Sequence, residues 1–204
     1  MARIDAAARR DLYALGARIF AVEVDGELLR RLASSGLAGA GHPDGLGLLD
    51  DDIASLDEHD AIEELAAEYC RLFIGPHPTC PPYASTQRGE ALLGGRAGAR
   101  VLGFLERHGL ELTGCAALHI ASPDHVAVPL AVLATLYAEA AAAPDETSAA
   151  AAWSAAQELL VQSVLPWMPG YLATVASSAR REPYRSVPRL LAALLEEERD
   201  GLAR

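Results

Sequence analysis

Lysine is missing from this chain: all 17 of its basic residues are arginine. That absence excludes a phosphate-cradling P-loop, a Schiff-base enzyme and a lysine general base, each of which needs the amine. Cysteine is scarce and odd in number. Cys70, Cys80 and Cys115 leave one thiol over under any pairing, so a disulfide framework is not expected and a reducing cytoplasm fits. Aromatic residues make up only 5% and β-branched residues are sparse, while alanine and leucine dominate, which favours helix over sheet. No segment alternates in the manner of a strand, and no internal repeat is found. Long apolar runs are also lacking. The longest, Val126 to Ala138, is too short to span a bilayer and contains Pro129. The first residues, M-A-R-I-D-A-A-A-R-R-D, have no apolar h-region and read as a helix start without an export signal.

What is present is enough for a full core. At 204 residues and 51% hydrophobic, the chain is expected to fold as one domain spanning 1–204. The formal net charge is −11 and is unevenly distributed, with ten carboxylates and no arginine between Asp44 and Glu68. Such a field repels nucleic acid and anionic membranes and attracts basic ligands. A solvated acidic face that only aids solubility is the competing reading.

Helical spacing accounts for most of the chain. Leu12, Leu15, Ile19 and Val22 make one stripe of a first helix over roughly Asp5 to Val24, and Glu27 to Ser34 reads as a short second one. Residues 36–47 (G-L-A-G-A-G-H-P-D-G-L-G) read as a flexible connector whose glycines do not match G-x-G-x-x-G. Asp57 is the expected N-cap of a helix in which Ile62, Leu65, Tyr69, Leu72 and Phe73 share a face, and which Gly75-Pro76 stops. Residues 74–88 read as a stiff proline-rich loop. A further helix over Arg96 to His108 is closed by Gly109. Leu110 to Ala121 reads mostly as loop. Pro123-Asp124-His125 opens an almost wholly apolar helix, which suits the middle of a bundle. There Pro129 either lies in the first turn of a helix that begins late, or kinks one that begins at His125. Helices are then expected over Thr147 to Leu165, from the Leu165–Pro169 break to about Ala179, and from Pro183 onward. The expected fold is all-α, a bundle of roughly seven to nine helices.

Candidate chemistry is thin. Asp124 and His125 are adjacent, so on a helix they point apart and do not form a triad-like pair. Asp124 reads as a helix N-cap whatever else it does, and His125 reads equally as a partly buried histidine satisfied by a loop carbonyl or as a ligand contact. Ser85 and Ser122 lack the G-x-S-x-G elbow of a hydrolase nucleophile. His77 with Cys80, and Cys115 with His119, have ligand-like spacing but complete no ligand set, so no metal or other cofactor is expected. Trp153 and Trp167 read as core or groove-edge anchors, and Glu196 to Glu198 as a solvated helix end.

Three runs in order, E-Y-C-R-L-F-I-G-P, P-P-Y-A-S and P-D-H-V-A-V-P-L, together with L-P-W-M-P-G-Y and the last helix, resemble the TorD/DmsD family of redox-enzyme maturation chaperones, which includes NarJ-like members. The resemblance covers roughly Ala61 to Glu197. It implies a cytoplasmic, all-helical, non-catalytic chaperone that holds a molybdopterin oxidoreductase of the dimethyl-sulfoxide-reductase type, in its apo form and with its twin-arginine leader, until cofactor insertion is complete. It also implies that peptide-contact positions fall on Tyr69, Leu72, Phe73, Pro82, Tyr83, Asp124 and His125, with Gly75, Pro76 and Ser85 in the same motifs. A homodimer is compatible with it. The chain departs from the family pattern at Thr86-Gln87, where relatives usually carry an aromatic residue, and at Pro129. Residue chemistry agrees with this reading: two leader guanidinium groups require carboxylates, and the apolar remainder requires a groove. Two alternatives belong to other classes. One is a GTP-binding hydrolase, which the missing lysine and P-loop disfavour. The other is a helical adaptor that binds a folded partner through the acidic face.

Overall fold

A computed structural model describes residues 5–34, 47–112 and 120–203. The connector expected at 36–47 therefore falls, apart from Gly47, outside the described residues, as do Cys115 and His119. Among these described residues ten α-helices run in chain order: α1 (Ala6–Ala21), α2 (Gly26–Ser34), α3 (Asp51–Ala54), α4 (Glu58–Tyr69), α5 (Ala84–Gln87), α6 (Gly95–His108), α7 (Ala127–Ala142), α8 (Glu146–Leu159), α9 (Met168–Ser178) and α10 (Ser186–Leu202). Eight of them are longer than two turns, as the all-α expectation required, and the described residues contain no strand beyond one isolated bridge.

Local chemistry explains most of the boundaries. Asp5, Asp57 and Asp145 accept the backbone N–H three residues on, at 2.8, 3.0 and 2.8 Å, which fixes the starts of α1, α4 and α8. Gly109 closes α6 in the left-handed region at φ 62°. Pro129 is resolved in favour of the later start: α7 begins at Ala127, so the proline occupies its first turn, where no intrahelical donor is needed. The last helix starts later than expected. Pro183 belongs to the preceding turn, and the Glu182 carboxylate accepts both the backbone N–H (2.7 Å) and the hydroxyl of Ser186, setting the start there.

Two helices end in ways the spacing did not indicate. α4 continues into a π-helical turn, Cys70–Ile74, and α8 into another, Leu160–Val164. A π turn inserts an extra residue per turn and rotates the side chains beyond it about the helix axis. It leaves Leu72 and Phe73 in the core but turns Ile74 out to solvent.

The core is organised around α7. It packs chiefly on α1 and α8, while α10 covers α9 and α1. Leu130, Leu133 and Tyr137 of α7 are fully buried, each such side chain stabilising the fold by about 1.5–3 kcal/mol. α1 and α10 approach closely at Gly16, where a Cβ would come within 2.7 Å of a Leu191 methyl and 3.3 Å of Leu130.

At the far end of the bundle the Glu196–Glu198 run departs from its expected role as a solvated helix end. Glu198 is buried, and its Oε1 accepts the hydroxyls of Tyr13 (3.2 Å) and Tyr137 (2.6 Å) and pairs with Arg9. Arg9 is itself buried, also pairs with Glu197 at 2.9 Å, and lies over the rings of Tyr137 and Trp153 at 5.7 and 5.6 Å. This cluster ties the first, seventh, eighth and tenth helices together.

Candidate functional site

The two motif segments, far apart in the chain, are joined by backbone bonds. Tyr83 and His125 form an antiparallel bridge, in which the Val126 N–H donates to the Pro82 carbonyl at 2.8 Å and the Ala84 N–H to the Asp124 carbonyl at 3.1 Å. The stretch expected as loop over 74–88 is more ordered than that. The Thr79 and Cys80 N–H groups donate to the Arg71 and Leu72 carbonyls, folding the proline turn back onto the π turn, and Ala84–Gln87 forms the single turn α5.

Ser85 and Asp124 hold this junction. The Ser85 N–H donates to Asp124 Oδ2 at 2.8 Å, so the carboxylate caps α5 from a distant segment. The Ser85 hydroxyl in turn accepts the Gly94 N–H at 3.1 Å. Gly94 has φ 81°, and a Cβ there would sit 2.5 Å from Ser122 Oγ, so this position requires glycine. Asp124 is only 1% exposed, and its other oxygen, Oδ1, is buried without a hydrogen-bond partner among the described residues. Asp124 lines a small cavity of about 10 Å³ together with Arg88, Arg100 and Ser163, and the Ser163 hydroxyl is equally unpartnered there. Asp124 is thus turned inward, and a guanidinium arriving from solvent does not reach it in this arrangement.

The other expected contact residues divide in the same way. Tyr69, Leu72, Phe73, Ser85 and His125 are buried, as is Pro82, while Tyr83 and Gly75 are half-buried and Pro76 is exposed. Tyr69 and Phe73 form an aromatic cluster with Phe20 and Tyr184, and the Tyr69 hydroxyl donates to the Phe20 carbonyl at 3.0 Å. Tyr83 meets the His125 ring edge-on at 5.0 Å.

His125 Nδ1 accepts the Ala127 N–H at 3.2 Å, which assigns its ring proton to Nε2. Burial pushes this imidazole down to about 4, against the opposing pull of Asp124. Between the unfolded value near 6.5 and about 4, only the unfolded chain takes the proton. Stability is therefore intact above pH 6.5 and falls on acidification through that window, by on the order of 3 kcal/mol. Urea midpoints at the two ends of the window check this. His125→Asn, which keeps an acceptor for Ala127, is expected to flatten the slope, and an unchanged slope would contradict the assignment.

A larger hollow adjoins the junction. It is an apolar groove of about 740 Å³ walled by Ala17 and Ala21 of α1, Ile62 of α4, and Ala127, Val128 and Ala131 of α7. The α1–α2 link, V-E-V-D, places Glu23 and Asp25 at its edge together with Arg18. Arg18 is engaged by the Val22 and Glu23 carbonyls and by Asp25 at 2.8 Å. The Glu23 carboxylate accepts the Cys70 thiol, at 3.6 Å. Burial and that carboxylate raise the thiol, which keeps it a protonated donor. The motif segments back this groove: Cys70 touches Glu23 behind one wall, and His125 fixes Ala127 in the other.

Sequence reasoning missed this groove. The signal was available in V-E-V-D, two acids alternating with two valines immediately after a helix. The acidic Asp44–Glu68 stretch, by contrast, is partly answered within the chain. Glu58 pairs with Arg30, Asp52 and Glu64 with Arg181, and Glu68 with Arg71.

A family model described as nitrate reductase delta subunit matches residues 40–173, a span that contains both motif segments. The chain is similar to the chaperone protein TorD of Vibrio cholerae serotype O1, at 27% identity over 148 residues, covering 72% of this chain and 66% of that protein. It is also similar to the chaperone protein TorD of Shewanella oneidensis, at 32% identity over 142 residues, covering 63% of this chain and 64% of that protein. The chain spans just under two thirds of the length of these relatives.

Proposed function

Since the chain belongs to the nitrate reductase delta subunit family, which takes in the TorD-like chaperones, we propose that it is a maturation chaperone rather than an enzyme. Its client is the unfinished form of a redox enzyme, specifically a molybdopterin oxidoreductase of the dimethyl-sulfoxide-reductase type. The chaperone holds that precursor in the cytoplasm, through its twin-arginine leader, until the cofactor is in place. No single described helix is long and apolar enough to cross a membrane.

The observation that carries this reading is the apolar groove with Glu23 and Asp25 at its edge. A leader consists of paired arginines followed by an apolar, helix-prone stretch. The groove offers a bed for the apolar part, and Glu23, which a thiol contacts, offers a carboxylate to a guanidinium. In this reading Tyr69, Leu72, Phe73, Pro82, Tyr83, Ser85, Asp124 and His125 support the groove from behind and set the positions of its α4 and α7 walls.

Calorimetry with a synthetic twin-arginine leader peptide tests it. Ala21→Trp, which fills the groove, and Glu23→Arg, which reverses its charge, are each expected to weaken binding by about tenfold or more, equivalent to at least ~1.4 kcal/mol. Undiminished binding by both folded variants would place the leader elsewhere on the molecule.

A further inference from the structure

Most of the described arginines lie against a carboxylate, as Arg9, Arg18, Arg30, Arg71, Arg107 and Arg181 do. The stretch from Arg88 to Arg100 is different. Arg88, Arg96 and Arg100 line one surface hollow of about 550 Å³, and none of the three forms a salt bridge among the described residues, although Arg88 and Arg100 also line the small cavity that Asp124 borders. The one acid in that hollow, Glu90, is turned to the start of α6, where it accepts the Arg96 and Ala97 N–H groups at 2.6 and 3.4 Å. Its charge is matched by the helix terminus and not by the guanidinium groups. Arg100 donates to the Gln162 carbonyl at 3.0 Å, which anchors one side of the hollow to the π turn of α8.

At the rim stand Leu92, 74% exposed, and Leu93, 54% exposed, the first of them lining the hollow. A chain of net charge −11 therefore carries a concentrated positive patch, and that patch is tipped by two adjacent leucines. Three fork-shaped cations beside exposed apolar side chains match a ligand that is anionic and apolar together.

We infer that this hollow is a docking site for an acidic, leucine-like segment of a protein partner, separate from the apolar groove on α1, α4 and α7. An anionic bilayer has the same two properties but is the poorer fit. It would lie against a broad face of a strongly negative molecule, whereas a short segment samples the field only within about 8–10 Å of the patch. A free phosphate would engage the arginines and leave the leucines unused.

Fluorescence anisotropy of the full chain with a labelled peptide of repeated E-E-L-L tests the inference. Binding is expected at about 0.1–0.15 M salt, where screening confines the field to the patch, and is expected to weaken as salt rises further, and the matching K-K-L-L peptide is expected not to bind there. Arg96→Glu and Arg88→Glu should each reduce affinity by about tenfold, and the joint change Leu92→Ser with Leu93→Ser should reduce it comparably. All four residues lie at the surface, and an unchanged circular dichroism spectrum confirms the fold. Failure to bind, or binding indifferent to these changes, overturns the proposal. So does cosedimentation with phosphatidylglycerol-containing vesicles that Arg96→Glu abolishes, which would assign the patch to a membrane. Displacement of the peptide by inorganic phosphate at constant ionic strength also overturns it, in favour of a small-anion site. None of these outcomes depends on whether a twin-arginine peptide binds the α1–α4–α7 groove.

Discussion

Arg9→Met is expected to lower the unfolding free energy by about 3–5 kcal/mol, because it strands a buried carboxylate. Both side chains of the Arg9–Glu198 pair are almost wholly enclosed. The Tyr13 and Tyr137 hydroxyls still donate to Glu198 in the variant and moderate the loss, but neither brings a compensating charge. The check is a double-mutant cycle read by urea denaturation. Glu198→Gln keeps an acceptor for the tyrosines and removes the charge. The double variant Arg9→Met with Glu198→Gln is therefore expected to be clearly more stable than Arg9→Met alone. Equal stability of the two would mean that the cluster contributes packing and not charge pairing.

Asp124→Ala is expected to lower stability by about 2–4 kcal/mol, since it removes the acceptor of a buried N–H and the distant cap of α5 in one change. The substitution that discriminates is Asp124→Asn. It retains an oxygen for the Ser85 N–H but carries no charge. If Asp124 gripped a client arginine directly, Asn would impair leader binding as much as Ala. With the carboxylate buried as it is, Asn is expected to bind the leader within about twofold of the parent, while Ala binds poorly because the Pro82–Ser85 junction loosens. Calorimetry on both variants, with circular dichroism to confirm folding, separates the two roles.

Much of this architecture could be read from residue order alone, wherever the governing physics is local. The caps at Asp57 and Gly109 depend on neighbours within a few residues, and both took the expected form. The stripe Ile62, Leu65, Tyr69, Leu72, Phe73 placed four of its five members in the core, and only Ile62 stayed partly exposed, on the groove wall. The apolar circumference of α7 correctly implied a central helix. The segments in which the resemblance put the peptide-contact positions share a bridge.

What could not be read depended on partners distant in the chain. Spacing gives no sign that Asp124 caps a turn 39 residues earlier and thereby points inward. Nor does it indicate that Arg9 and Glu198, with nearly the whole chain between them, meet in the interior. The π turns escaped for a related reason. Their extra residue is stabilised by what packs on either side, and an apolar pattern over Ile62 to Phe73 is satisfied by an unbroken α-helix as well.

The positions of the two tryptophans make these ends of the molecule separately observable. Trp153 lies beside Arg9 and edge-on to Tyr137 at 4.9 Å, in the cluster that joins the first and last helices. Trp167 is buried with its indole N–H on the Ser163 carbonyl, beside the small cavity that Asp124 faces. With no other indole in the chain, a pair of single-tryptophan proteins, Trp153→Phe and Trp167→Phe, would emit from one end each. Their emission spectra would report whether addition of a twin-arginine leader peptide rearranges the junction of the motif segments, the terminal-helix clasp, or neither.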